Sequence, residues 1–175
     1  MGRNLLNVAL FQGAWFVAVL GAAGGRPWLG PAAVALVLAI HLALTDDRPG
    51  ETKLLLAAGI LGFLYDTALV AAGVFLPVQH LLPRPFSPPW MVSLWLNFAA
   101  TLNVSLAWLK GCYLLAAIFG AAGGAGAYYS GARLGATLGV PDAGGIVILA
   151  LAWGIMTPLL VWLARALSGG KKTSE

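Results

Sequence analysis

Residues 54–75 constrain this chain more than any other stretch. They are predominantly apolar, and a hydrocarbon core of about 30 Å needs roughly 20 helical residues, so the stretch can cross a bilayer. Asp66 nevertheless lies well inside it. At about 100° per residue, Gly59, Gly62, Asp66 and Gly73 fall in one narrow sector. Small residues on one face let a second helix approach closely. The carboxylate is therefore expected to point into a helix interface and away from lipid. An acid at that depth is expensive and marks a functional site by default.

The remainder of the chain has the same character. Its 175 residues are 60% hydrophobic and only 9% charged, with a mean hydropathy of +0.88. Soluble domains carry about 25% charged residues, so an integral membrane protein is expected, with membrane lipids as its surroundings. The net charge of +4 comes from ten basic residues scattered over the loops. No basic run is available to follow phosphates, and no nucleic-acid partner is expected. Cys112 is the single cysteine, which rules out an internal disulfide and a cysteine-based metal site. The glycine-rich run 120–126 follows no predicted strand, so it is not a dinucleotide fingerprint. Neither a metal nor a cofactor is expected.

Residues 1–25 share features with a secretory leader: Arg3, an apolar run, and Gly21, Ala22 and Ala23. The apolar run exceeds the usual leader core of about 7–15 residues, and it carries Asn7, Gln12 and Trp15, so it reads as span one. Span two covers 29–45, with His41 in its second half, read as a neutral imidazole bonded to a carbonyl or a neighbour. Residues 46–53 are the densest charge cluster. Their acid pair, Asp46 and Asp47, has no His or Cys nearby in sequence to complete a metal site and reads as solvated. Span three is the opening stretch. Residues 76–89 hold five prolines with Gln79 and His80, and read as a rigid, non-helical surface lid. Span four covers 90–110. Ser93, Asn97, Thr101 and Ser105 recur every fourth residue as a polar stripe facing other helices, while Trp95 and Asn103 project elsewhere.

Span five starts near Cys112. Gly120, Gly124, Gly131 and Gly135 share a face, with Tyr128 beside them, as a close-packing seam that also offers a route to a homo-oligomer or a membrane-complex partner. Tyr129 and Arg133 sit one turn apart on another face. Span six covers 144–167 and contains Pro158, which should kink it. The expected fold is an all-α integral membrane protein. It is a bundle of six transmembrane helices in one domain, 1–168, with a polar tail, 169–175. Arg3, Arg48, Lys53, Lys110, Arg165, Lys171 and Lys172 fall on one side, against Arg26, Arg84 and Arg133 on the other. Basic loops stay in the cytoplasm, so both termini are expected there, in a bacterial inner membrane.

Depth brings the polar groups together. At 1.5 Å per residue, Asp66 lies roughly 20 Å from the cytoplasmic end of span three, and Asn97 roughly 10 Å below the outer end of span four. Asp66, Asn97, Thr101 and Tyr128 are expected to converge in the outer half, under the proline-rich lid. Arg133 is the nearest cation by depth. These five are the candidate ligand-binding residues, with His41, His80 and Trp90 as secondary candidates.

Several blocks resemble a known family. Pro89, Trp90, Leu94, Trp95, Phe98, Thr101, Leu102, Ser105 and Leu106 form one block. Gly120, Gly123, Gly124, Ala127, Tyr128 and the run 131–136 form a second. Gly62, Asp66, Leu69 and Gly73 form a third, and Asn7, Gln12, Trp15 and Phe16 a fourth. Together they resemble a small family of bacterial multi-pass inner-membrane proteins, domain of unknown function 2878. The resemblance implies a fold and no activity.

Three functions fit the residues. In the first, Asp66 and the polar stripe bind or transport a small solute, a proton or a lipid head group. In the second, Asp66 is an interhelical hydrogen-bonding group in a structural or assembly subunit. In the third, Asp66 is the acid or base of an enzyme acting on a lipid or isoprenoid. Against the third, the spans carry no paired carboxylates and no nucleophile motif.

Overall fold

A computed structural model describes residues 2–79 and 81–168. Among these, six α-helices form and no strand does: α1 (Gly2–Ala23), α2 (Leu29–Leu44), α3 (Arg48–Ala71), α4 (Pro89–Ala99), α5 (Tyr113–Arg133) and α6 (Ala143–Leu167). Of them, α1, α3 and α6 are long and apolar enough to cross a membrane, and α2 is a shorter apolar helix. The candidates His80, Lys171 and Lys172 lie outside the described residues.

Loop acids start two of the helices. Asp47 accepts from the Gly50 amide at 3.0 Å, and Asp142 accepts from the Gly145 amide at 2.7 Å. Each satisfies an amide that the first helical turn leaves unpaired. Asp47 is therefore a helix cap and not merely a solvated loop acid. Gly73 ends α3. Its φ of 70° is a left-handed conformation suited to glycine, and the Val74 amide closes on the Leu69 carbonyl at 3.0 Å. Gly73 thus leaves the glycine sector expected of α3, whereas Gly59, Gly62 and Asp66 stay in it, facing α4.

Span four departs most from expectation. The helix predicted over 90–110 stops at Ala99, and turns with a short 3₁₀ segment (Ala107–Leu109) carry the chain onward. The reason is local competition. Ser, Thr and Asn side chains offer the backbone alternatives to the helical ladder. The Thr101 hydroxyl donates to the Phe98 carbonyl at 2.6 Å, which also accepts the Thr101 amide at 2.9 Å. The Ala100 carbonyl, left without a helical partner, accepts from Asn7 Nδ2 of α1 at 3.1 Å, and Ser105 Oγ donates to Asn7 Oδ1 at 2.6 Å. The expected polar stripe does face another helix, and it holds an unwound segment in place there.

The core has two main layers. One gathers Leu54, Ala58, Trp95, Leu102, Leu109, Trp153 and Leu160; the other gathers Val19, Leu69, Phe75, Trp90, Met91 and Leu149. Glycine makes the close approaches. A Cβ on Gly62 would fall inside the Trp95 indole, and one on Gly124 inside the Trp153 indole. Gly120 lies against Thr157 in the same way. Half of the expected α5 seam is therefore the α5–α6 contact. Gly131 meets Val19 of α1, and Gly135 sits beyond the helix at φ 92°. The proline-rich loop lies against α3: Phe86 stacks on Phe63, and the Ser87 amide donates to Thr67 Oγ1 at 3.1 Å.

Candidate functional site

Asp66 is fully buried, and both of its oxygens are engaged. Trp95 Nε1 of α4 donates to Oδ2 at 2.9 Å, and the Tyr128 hydroxyl of α5 donates to Oδ1. One carboxylate thus ties three helices together. Its setting is aromatic. Trp95 stacks on Trp153 with centroids 4.5 Å apart at 11°, Tyr65 meets both rings edge-on, and Phe75 meets Tyr128 edge-on at 5.0 Å. The arrangement places one acceptor pair, already paired with two donors, in apolar surroundings.

A cavity of about 770 Å³ adjoins this group. It runs between α1 and α5, with α4 and α6 behind it, and Asp66, Trp90, Trp95, Thr101, Tyr128 and Arg133 contribute to its lining. Gly123 and Gly126 also line it, with nothing within 4 Å of where a Cβ would stand. Such a volume is within the usual range for a small-molecule site of about 300–1,000 Å³. None of the described residues of the loop 76–89 lines the cavity: Ser87 is held against α3, and Leu76 and Val78 pair with Leu138 and Ala136 at the cavity's edge, so the expected lid borders the site and does not roof it.

The expected convergence is thus partial. Asp66 and Tyr128 are in direct contact, and Thr101, Trp90 and Arg133 share the cavity with them. Asn97 does not join: its Nδ2 donates to the Phe11 carbonyl of α1 at 2.9 Å, and it is absent from the cavity wall. Arg133 is exposed in the last turn of α5 and makes no ion pair with Asp66. Trp95 projects away from the stripe, as expected: Asn97 and Ser105 reach α1, whereas the Trp95 face meets α3 and makes it a direct partner of Asp66, a role its own helix does not announce. Its signal was on α3 and not on its own helix. Gly62, one turn before Asp66, leaves a flat space that a ring from a facing helix fills.

His41 lies elsewhere. Its Nε2 is 3.0 Å from Glu51 Oε2, and both side chains are buried. Glu51 is 15 positions before Asp66, roughly 22 Å along α3 at 1.5 Å per residue. The neighbour that holds His41 is Glu51, a member of the 46–53 charge cluster that the first turn of α3 carries into the protein. Among the described residues no cluster of three or more His, Cys, Asp or Glu could hold a metal ion.

The family model described as protein of unknown function (DUF2878) matches residues 4–159. The chain belongs to the DUF2878 family. The match takes in all four blocks of resemblance and every described residue of the DUF2878 site. No curated protein and no solved structure matches the chain.

Proposed function

We propose that this DUF2878 protein binds a small, largely apolar molecule in the cavity between α1 and α5, with the Asp66–Tyr128 pair beside the ligand's polar group. The observation that carries the reading is the cavity itself: about 770 Å³, walled chiefly by aromatic, aliphatic and glycine residues, with a buried carboxylate in its wall. Ligand sites are typically concave, mostly apolar, and supplied with a few placed polar groups. Asp66, Tyr128 and Thr101 are the proposed contacts, with Trp90 and Arg133 at the outer end.

We read all six helices as membrane spans of an inner-membrane protein with both termini in the cytoplasm. The turns after α4 complete the fourth crossing. Irregular backbone at membrane depth is tolerated where it is buried in protein, and Leu102, Leu109 and the Asn7 contact to Ala100 meet that condition.

The binding reading is tested by mass spectrometry of the protein purified in mild detergent. The wild type is expected to carry a co-purifying small molecule. Gly123→Leu, which fills open space in the cavity, should lose it while melting normally. A wild type with nothing bound would remove the reading. One observation favours the structural alternative: both Asp66 oxygens are already paired within the protein. On that alternative Asp66→Leu unfolds the bundle and no ligand is found.

A further inference from the structure

Six buried side-chain polar atoms lack a hydrogen-bond partner among the described residues. Three of them, Trp90 Nε1, Trp153 Nε1 and Thr157 Oγ1, belong to residues lining the cavity. These side chains are 3%, 9% and 0% exposed. An indole N–H only donates, and a hydroxyl donates or accepts. Trp153 packs edge-on against Tyr128, with ring centroids 6.3 Å apart, and its Nε1 lies outside hydrogen-bond geometry. Trp153 and Thr157 stand one helical turn apart on the same face of α6. A buried donor with no acceptor is destabilising until one arrives. The three atoms lie just behind the cavity wall, Thr157 Oγ1 beside the cavity-lining Gly120, so a ligand that displaces the wall side chains is held by bringing them an acceptor.

Charge narrows the choice. Among the described residues, the only cationic side chain in the cavity lining is Arg133, which is exposed at the end of α5. An anionic head at the depth of Trp153 would meet Asp66 and no cation. A cationic head would meet N–H donors and a carboxylate whose oxygens already have partners. An uncharged oxygen, whether hydroxyl or carbonyl, matches both the donors and the charge.

The mouth indicates the route. At the outer end Val19 of α1 meets Gly131 of α5. Farther from that end, Val8 and Phe16 of α1 and Phe119 of α5 line the cavity while remaining exposed. An opening with such an apolar rim, in a span, faces hydrocarbon.

We propose that the cavity holds a long-chain lipid with an uncharged oxygen head group, admitted sideways from the bilayer between α1 and α5. The proposal rests on the reading of this cavity as a binding site.

The test uses the full-length protein in phosphatidylcholine nanodiscs. Three photoreactive alkyl probes of one chain length carry a hydroxyl, a sulfonate or a trimethylammonium head. The hydroxyl probe is expected to label α5 peptides containing Gly123 and Gly126 roughly fivefold above the charged probes, the ratio that one hydrogen bond confers. Thr157→Val should lower that labelling by a similar factor, and Thr157→Ser should restore it. Should Thr157→Val fail to fold, the probe comparison on wild type decides alone. Equal labelling by all three probes leaves the binding reading intact and overturns the head-group assignment. Preference for a charged probe also overturns it, and so does unchanged labelling in folded Thr157→Val. Labelling by none of the probes overturns both.

Discussion

Adding one methyl group at Gly62 or at Gly123 should have opposite outcomes, although both are helix-interior glycines in apolar helices. At Gly62 the new Cβ falls inside the Trp95 indole, which is wedged between the Asp66 carboxylate at 2.9 Å and the stacked Trp153 ring at 4.5 Å. Displacing the indole breaks its hydrogen bond to Asp66 or its stack on Trp153. Overpacking a core costs about 1–3 kcal/mol, and losing a buried hydrogen bond to a carboxylate costs about 1.5–3 kcal/mol. The better helix propensity of alanine returns about 1 kcal/mol. Gly62→Ala should therefore lose about 1.5–5 kcal/mol by these terms. At Gly123 nothing lies within 4 Å of the Cβ position, so only the propensity gain remains and Gly123→Ala should be neutral or stabilised by up to about 1 kcal/mol. The assay is thermal melting of both purified variants in one detergent, with near-ultraviolet circular dichroism to follow the stacked indoles. If Gly62→Ala melts with the wild type, or Gly123→Ala falls as far as Gly62→Ala, the close approach of α3 to α4 is not as described.

Asp66→Asn keeps one acceptor for two donors, so it should fold with a loss of about 1–3 kcal/mol. Asp66→Leu strands both Trp95 and Tyr128 and should melt lower still. A folded Asn variant that fully complements a deletion strain would show that ionisation of Asp66 is not required. Asn7→Ala removes the side chain that holds the Ala100 carbonyl and Ser105. Amide hydrogen exchange across 100–107 should then rise well above that of α6, and unchanged exchange would mean the unwound segment supports itself. His41→Leu and Glu51→Leu should each destabilise by about 3–5 kcal/mol by leaving one buried partner alone, while the double variant recovers most of that loss. Additive melting shifts would show that the pair is not coupled. Reporter fusions at Ser168 and in the loop holding Lys53 should both report cytoplasm, by the distribution of basic residues. A periplasmic signal at Ser168 would refute the proposed six crossings.

The sequence alone determined the class and most of the helices, because apolar runs of spanning length admit few folds in lipid. It also determined that Asp66 faces protein, through Gly59 and Gly62 on the same face, and that small residues on α5 mark close helix contact. Those are properties of one helix, and 100° per residue reads them directly. Partners across helices are not written that way. Trp95 lies off the polar stripe of its own helix, and only the packing of α3 on α4 shows that this other face brings its indole to Asp66. Asn97 looked like a ligand contact by depth, yet the position of α1 gives it the Phe11 carbonyl instead. At the break after Ala99, Asn7, some 93 positions away in the chain, supplies the hydrogen bond the helix gives up. The cavity depended on tertiary structure most of all. It exists because α1 and α5 meet near Val19 and Gly131 and leave space beyond, and empty volume between helices has no residue to announce it.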